Sequence, residues 1–151
     1  MAGDEAMIES WPLPTTEEHD APFWEGARRG VVLMEACNNC GQLRFPPRPM
    51  CPHCRSRQRH WREMSGHGRI WSFIVPHPPL LPAFNPMAPY NVIVVAIEED
   101  PSIRLVGNLV NDESGSIDEV DPAAIQVGDA VRAVFARMTK DVTLIRWIRR
   151  S

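Results

Sequence analysis

Two Cys-x-x-Cys pairs, Cys37/Cys40 and Cys51/Cys54, stand ten residues apart and constrain this chain more than any other feature. Four sulfurs at this spacing can surround one tetrahedral ion, the arrangement that structural zinc prefers. Four thiolates leave no open coordination position for water, so the ion is expected to stabilise the fold and to do no chemistry. Spacing alone leaves two alternatives, iron held in a rubredoxin-like site and a pair of redox disulfides. The stretches Cys37-Asn38-Asn39-Cys40-Gly41 and Cys51-Pro52-His53-Cys54 read as two copies of one tight turn with sulfur at both ends. Asn, Gly and Pro supply the turn geometry that lets backbone N–H groups face the thiolates. A ribbon of about 25 residues rich in Arg and Pro cannot bury enough apolar surface to order itself. Zinc supplies ~10–16 kcal/mol of apparent binding free energy in small peptide sites, which is enough to do so. His53 and His60 lie near the pairs, but four cysteines fill the shell and both histidines are read as surface residues.

The compartment bears on that reading, because a reducing cytosol disfavours disulfides. No apolar run approaches the ~20 residues of a membrane span, and the acidic, proline-interrupted start lacks a signal-peptide pattern, so a cytoplasmic protein is expected. With 151 residues, 44% of them hydrophobic, the chain can build one medium domain or a small module beside a larger one. Most of its 15 prolines precede Asn91, so loops and extended segments are expected first and regular sheet later.

Three units follow: a tail and helix over residues 1–35, a zinc ribbon over 36–65 and a barrel over 66–151. Residues Met1 to Pro14 show no apolar period and read as a flexible tail or an arm laid over a partner, with order beginning near Thr15. Asp20 as a cap, Pro22 in the first turn and Gly30 past the end predict a helix from Ala21 to Arg29, with Phe23, Trp24 and Ala27 on one face. Val31 to Ala36 reads as a strand leading into Cys37. From Gly66 the period becomes two: Arg69 to Val75 is a strand, Asn91–Glu98 and Ile103–Val110 are a hairpin about Asp100-Pro101, and Ala130–Met138 with Val142–Arg149 is a second hairpin. The last pair alternates through Val131, Ala133 and Phe135, and again through Leu144, Arg146 and Ile148. Pro76 to Pro89 is a proline-dense loop whose Leu80, Leu81, Phe84 and Met87 need cover. Asn111 to Asp121 reads as an acidic surface loop or short helix, and Val127-Gly128-Asp129 as a turn. Five strands of this length suit a small Greek-key barrel of the OB type, so the fold class is mainly β.

A nucleophile elbow, a His-Glu-x-x-His zinc site, a phosphate loop and a dinucleotide fingerprint are all missing from the sequence. His67 and His77 flank the first barrel strand and could act as acid–base groups, but a strand-end histidine is more often a hydrogen-bonded surface residue, and neither is assigned a catalytic role. Between Ala36 and Ile97 seven arginines meet one acid, Glu63, so this stretch carries +6 of a net −3 and leaves −9 for the rest. Such a run is either a solvated face or a surface for a polyanion. Zinc ribbons and OB barrels both bind single-stranded nucleic acid. The acidic total, one Lys, one Tyr and the lack of aromatics interleaved with basic residues count against that use.

Taken in order, Phe23-Trp24-Glu25-Gly26, Cys37-x-x-Cys40-Gly41, Phe45-Pro46-Pro47-Arg48, Cys51-Pro52-x-Cys54, Gly66-x-Gly68, Pro89-Tyr90 and Val127-Gly128-Asp129 resemble one family. The chain is similar, from about Asp20 to Arg149, to the acyl-CoA-associated zinc-ribbon/OB-fold proteins once called domain of unknown function 35. The resemblance implies an N-terminal helical arm, a rubredoxin-like zinc ribbon and a C-terminal five-stranded OB-fold barrel. It also implies a non-catalytic subunit of a hetero-oligomer, docked on a thiolase-superfamily or hydratase enzyme, as in the aldolases and hydratases of actinobacterial steroid side-chain degradation. An acyl-CoA then occupies a shared site, and nucleic acid and membrane are not partners. Arginine grips phosphate bidentately and aromatic surfaces stack on adenine. Arg44, Arg48 and Arg69, with Trp71, are therefore the candidate CoA contacts. The loop residues Leu80, Leu81 and Phe84, with Trp11 as an anchor, are the candidate partner surface.

Overall fold

Proline at the start of a helix loses an N–H that has no partner there anyway. The chain turns helical over α1 (Ala21–Arg28) in the computed structural model, which describes residues 11–151. Asp20 precedes α1 but does not cap it, which corrects the expectation from sequence. Its carboxylate accepts instead from the Glu17 N–H at 2.8 Å and from Trp24 Nε1 at 3.3 Å. Gly30 ends the element with φ +77, a conformation in which a side chain is strained. Phe23 and Ala27 face inward, and Gly26 lies so close to Leu33 that an added Cβ would stand 2.8 Å from its Cγ. The tail before Trp11 is outside the described residues. Order does not wait for Thr15, because Trp11 packs on Phe84 with ring centroids 4.8 Å apart.

Strand β1 (Val32–Cys37) is the centre of a three-stranded antiparallel sheet, between β2 (Leu43–Arg44) and β3 (Arg59–Met64). The full length of β3 pairs with β1, from Val32 opposite Met64 to Cys37 opposite Arg59. Sequence reading missed β3, whose Arg-His-Trp-Arg-Glu-Met run has too few apolar residues to show a period.

The five strands expected after Gly66 are present as β4 (His67–Ile74), β5 (Val92–Ile97), β6 (Arg104–Gly107), β7 (Ala130–Arg137) and β8 (Thr143–Arg149). They form one antiparallel sheet in the order β6-β5-β4-β7-β8. The sheet curls until Leu109, just past β6, bridges Trp147 of β8 in parallel, with Val110 N–H on the Trp147 carbonyl at 2.8 Å. The result is an OB-type half-barrel. Its interior holds Ile70, Ile93, Val95, Ile97, Leu105, Leu109, Val131, Ala133 and Trp147, and the same cluster takes in Val32, Met34 and Met64 from the ribbon sheet. Ribbon and barrel therefore share one core.

The alternation read in β7 and β8 has the right period, and the two trios face opposite ways. Val131, Ala133 and Phe135 pack in the main core, where β8 contributes Ile145 and Trp147. Arg146 and Ile148 lie on the outer face, opposite Val134 and Arg132. A second cluster covers that face: Tyr90, Val110, Ile117 and Val134, with Trp11, Leu80, Phe84 and Met87 against them. Leu80, Phe84 and Met87 of the proline-dense loop thus find their cover inside the chain, while Leu81 stays exposed. The 111–121 segment forms turns, with Ile117 and Val120 buried beneath them.

Asn91 fastens the two layers. Fully buried, it accepts from the Leu109 N–H at 2.6 Å and donates to the Leu109 carbonyl at 2.9 Å, imitating a strand partner where the ladder stops. Asn91→Ala leaves that backbone pair unsatisfied away from water, and is expected to cost about 2 kcal/mol of unfolding free energy, measured by urea titration.

Candidate metal centre and binding surfaces

Each Cys pair sits in the same backbone device. The first cysteine accepts at its carbonyl from the residue four positions on, Gly41 N–H to Cys37 at 3.0 Å and Arg55 N–H to Cys51 at 2.9 Å. Its own N–H donates to the residue five on, Gln42 or Ser56. Gly41 and Arg55 both take the left-handed conformation, φ +74 and 65, so the expected duplication holds down to the dihedral angle.

The two turns bring all four sulfurs within 4.8 Å of one another, with Cys37 to Cys54 at 3.5 Å and Cys40 to Cys51 at 3.6 Å. Tetrahedral zinc with Zn–S of about 2.3 Å needs sulfur–sulfur edges of about 3.8 Å. Donor set and geometry both fit that ion. Backbone N–H groups of Cys40 and Asn39 bring the Cys37 thiol down to about 6, against desolvation and with help from the neighbouring sulfurs. Cys51 is lowered in the same way, by the Cys54 N–H first. The Gln42 N–H also lowers Cys40, but burial and the Cys51, Cys37 and Cys54 sulfurs outweigh it and push that thiol up to about 11. A cluster of this kind cannot carry four bare thiolates, whereas a divalent cation makes them compatible. His53 and His60 are exposed and stand outside the ligand group, with His60 Nδ1 against Asn38 Oδ1.

Behind the sulfurs lies an ion cluster that sequence reading did not find. Glu35, wholly buried in β1, accepts from Arg44 Nη2 at 3.2 Å, Arg59 Nη1 at 2.7 Å and the Arg48 backbone N–H at 2.8 Å, with Arg44 Nε 3.1 Å away in the ion pair. Burial opposes the charge on Glu35, and these hydrogen bonds outweigh it, so its pKa lies below the usual carboxylate value. Desolvation likewise works against Arg44, but Glu35 and the Cys51 and Cys37 sulfurs hold it protonated. Arg44 thus bridges the carboxylate and the metal ligands. The signal in the sequence was a lone acid within the apolar run Val-Leu-Met-Glu-Ala-Cys.

The other expected CoA contacts are scattered. Arg44 is committed to Glu35, while Arg48 is exposed on the ribbon and engages its neighbours through its backbone. Arg69 and Trp71 share the outer face of β4, Arg69 donating to the Gly128 carbonyl at 3.0 Å and Trp71 lying under the Arg104 guanidinium at 3.6 Å from the ring centroid. Of the expected partner surface, Trp11, Leu80 and Phe84 pack on the second cluster, and Leu81 is exposed. His67 pairs with Glu98 at 3.3 Å and His77 is exposed. No helix among the described residues is long and apolar enough to cross a membrane.

Two family models match, the rubredoxin-like zinc ribbon domain of ChsH2 over residues 24–58 and the C-terminal OB-fold domain of ChsH2 over residues 61–136. A probable enoyl-CoA hydratase alpha subunit of Thermomonospora curvata is 34% identical over 88% of this chain and 38% of its own length. The 3-oxo-4,17-pregnadiene-20-carboxyl-CoA hydratase alpha subunit of Mycobacterium tuberculosis is 28% identical over 89% of this chain and 39% of its own. The chain spans about two-fifths of the length of these hydratase subunits. A DUF35 domain-containing scaffold protein of Methanocaldococcus jannaschii is nearer in size, 33% identical over 75% of this chain and 73% of its own. Among solved structures, a chain of the "Ltp2-ChsH2(DUF35) aldolase" superposes with a TM-score of 0.77 at 32% identity, covering 90% of this chain and 98% of that one. Ribbon, half-barrel and the tetrad of cysteines, with these likenesses, place the chain in the ChsH2/DUF35 family of zinc-ribbon and OB-fold proteins.

Proposed function

We propose that this chain is a non-catalytic accessory subunit that docks on a thiolase-superfamily acyl-CoA enzyme, an aldolase or lyase of steroid side-chain degradation, stabilises it and helps hold the acyl-CoA. The observation that carries the reading is the likeness over 90% of the chain to a chain of the Ltp2-ChsH2(DUF35) aldolase. The chemistry of the chain agrees with it. All four cysteines belong to a closed metal site with no coordination position left for substrate, and the core shared by ribbon and barrel holds the two together for presenting a surface. In this reading Arg48, exposed on the ribbon, faces the anionic end of the coenzyme, and Arg44 keeps its place on Glu35.

Co-expressed with the thiolase-like or hydratase-like subunit encoded beside it, the chain is expected to co-elute as a stable heteromer, and acyl-CoA turnover to require both chains. Two separate species on size exclusion, or turnover of a CoA ester by this chain alone, would remove the proposal. The competing use, binding of single-stranded nucleic acid, is decided by titrating a fluorescent oligonucleotide: tight binding that weakens steeply with salt favours it.

A further inference from the structure

A half-buried sheet normally alternates apolar inward and polar outward. The outer face of β4, β5 and β6 breaks that rule. The strand register sets Ser72, Val94 and Val106 in one row across the sheet, Ile74 and Val92 in the next, where Val92 is half-buried against the second cluster, and Arg69, Ala96 and Arg104 in a third. Trp71 occupies the irregularity in β4 between Ile70 and Ser72 and points to the same side, beneath Arg104. On this face Trp71 is 51% exposed, Ile74 61% and Val106 67%. These are three of the large apolar side chains left in water, while the inward residues of the same strands, Ile70, Ile93, Val95 and Leu105, are buried. The face runs past Arg104 and Val106 into an apolar cavity of about 350 Å³ between α1 and the half-barrel, walled by Phe23, Trp24, Phe45 and Ile145. Among the described residues neither Arg69 nor Arg104 has a carboxylate within ion-pairing distance.

We infer that this face is the surface on which the partner subunit docks, and that the partner presents an apolar anchor for the Phe23–Phe45 cavity with carboxylates beside it for Arg69 and Arg104. The inference rests on the docking reading above and assigns it a location. Contiguous aliphatic side chains in water mark an interaction site, and Trp and Arg are the residue types that concentrate at the energetic centre of protein interfaces. Two guanidinium groups with no carboxylate partner among the described residues fit acid on the other side. The composition also decides between occupants. Single-stranded nucleic acid is held by several open aromatic platforms, whereas the strands of this face offer one ring, already covered by Arg104, and the Phe23, Trp24 and Phe45 rings beside them are buried or half-buried.

The test uses the full chain co-expressed with its partner, and measures the affinity of the heteromer for the wild type, Ile74→Glu/Val106→Glu, Arg104→Glu and Leu81→Glu. The altered side chains are exposed, and zinc content and circular dichroism report whether the fold is kept. The double variant and Arg104→Glu are each expected to weaken the complex tenfold or more, and Leu81→Glu to leave it within twofold. Should the double variant unfold, Arg104→Glu decides alone. A wild-type complex that tolerates the sheet-face variants overturns this assignment and leaves the docking reading intact, as does a complex lost only with Leu81→Glu. A wild type that forms no complex overturns the docking reading itself. Loss of oligonucleotide binding in the double variant, with the complex unchanged, gives the face to nucleic acid instead.

Discussion

Removal of the metal by a strong chelator at neutral pH is expected to unfold the ribbon first and to loosen the half-barrel with it. The cysteine turns have little else to hold them, and the apparent binding free energy of a structural zinc site, ~10–16 kcal/mol, exceeds the whole stability of a small domain. The damage does not stop at the turns, because β1 and β3 carry Val32, Met34 and Met64 into the core of the barrel. Once the ribbon frays, the core cluster that also holds Ile70 and Trp147 loses these three members. Cys51→Ser, at a buried ligand, should reproduce the effect without a chelator. Elemental analysis should find one zinc per chain in the native protein and none in the variant. Amide exchange should show protection lost across 32–64 before it falls in β4 to β8. Binding should also release protons, since the Cys40 thiol at about 11 is protonated at neutral pH and must ionise to serve as a ligand. A metal-free chain with unchanged exchange protection would end the structural-zinc account.

How much of this was legible in the sequence depends on which physical signal each part relies on. Sulfur ligation is written in spacing, so Cys37, Cys40, Cys51 and Cys54 were identifiable before any fold was known. The five barrel strands were legible because one face of each is buried, which imposes a period of two. Strand β3 was not, since its edge position lets His60, Arg62 and Glu63 point to water, turns Arg59 to the buried Glu35 and leaves only Trp61 and Met64 to betray a strand. Arg44 looked like one of seven surface arginines because its meaning lies in a partner nine residues earlier, reached only through the β1–β2 pairing of Glu35 with Arg44. Part of the apolar loop, Leu80, Phe84 and Met87, looked exposed for a related reason. Its cover is the back of β7 and β8, brought there by closure of the sheet, a long-range event that no local window contains.

The second large effect is expected at Glu35. Glu35→Gln should destabilise the ribbon by about 3 kcal/mol, because it leaves the buried Arg44 guanidinium without its carboxylate, and breaking a buried pair costs more than the pair contributed. The pH dependence gives the charge away. Hydrogen bonds from Arg44, Arg48 and Arg59 outweigh desolvation and hold the folded pKa below the ordinary 4.5, so the stabilisation is fully present above that value and is lost as pH falls through the lower folded one. In urea unfolding followed from neutral to acid pH, the gap between wild type and Glu35→Gln should be constant down to about 4.5 and close below it. A gap that stays open at acid pH would mean that shape, and not charge, is what Glu35 supplies. The double change Glu35→Met/Arg44→Met separates the two tasks of this cluster. Removing both charges together should restore much of the stability, as replacing a buried pair by apolar residues of similar volume often does. It should still weaken zinc retention, because the guanidinium that balances the Cys37 and Cys51 sulfurs is gone. Faster zinc loss to a competing chelator in a variant as stable as the wild type would thus show that Arg44 acts on the metal site through charge.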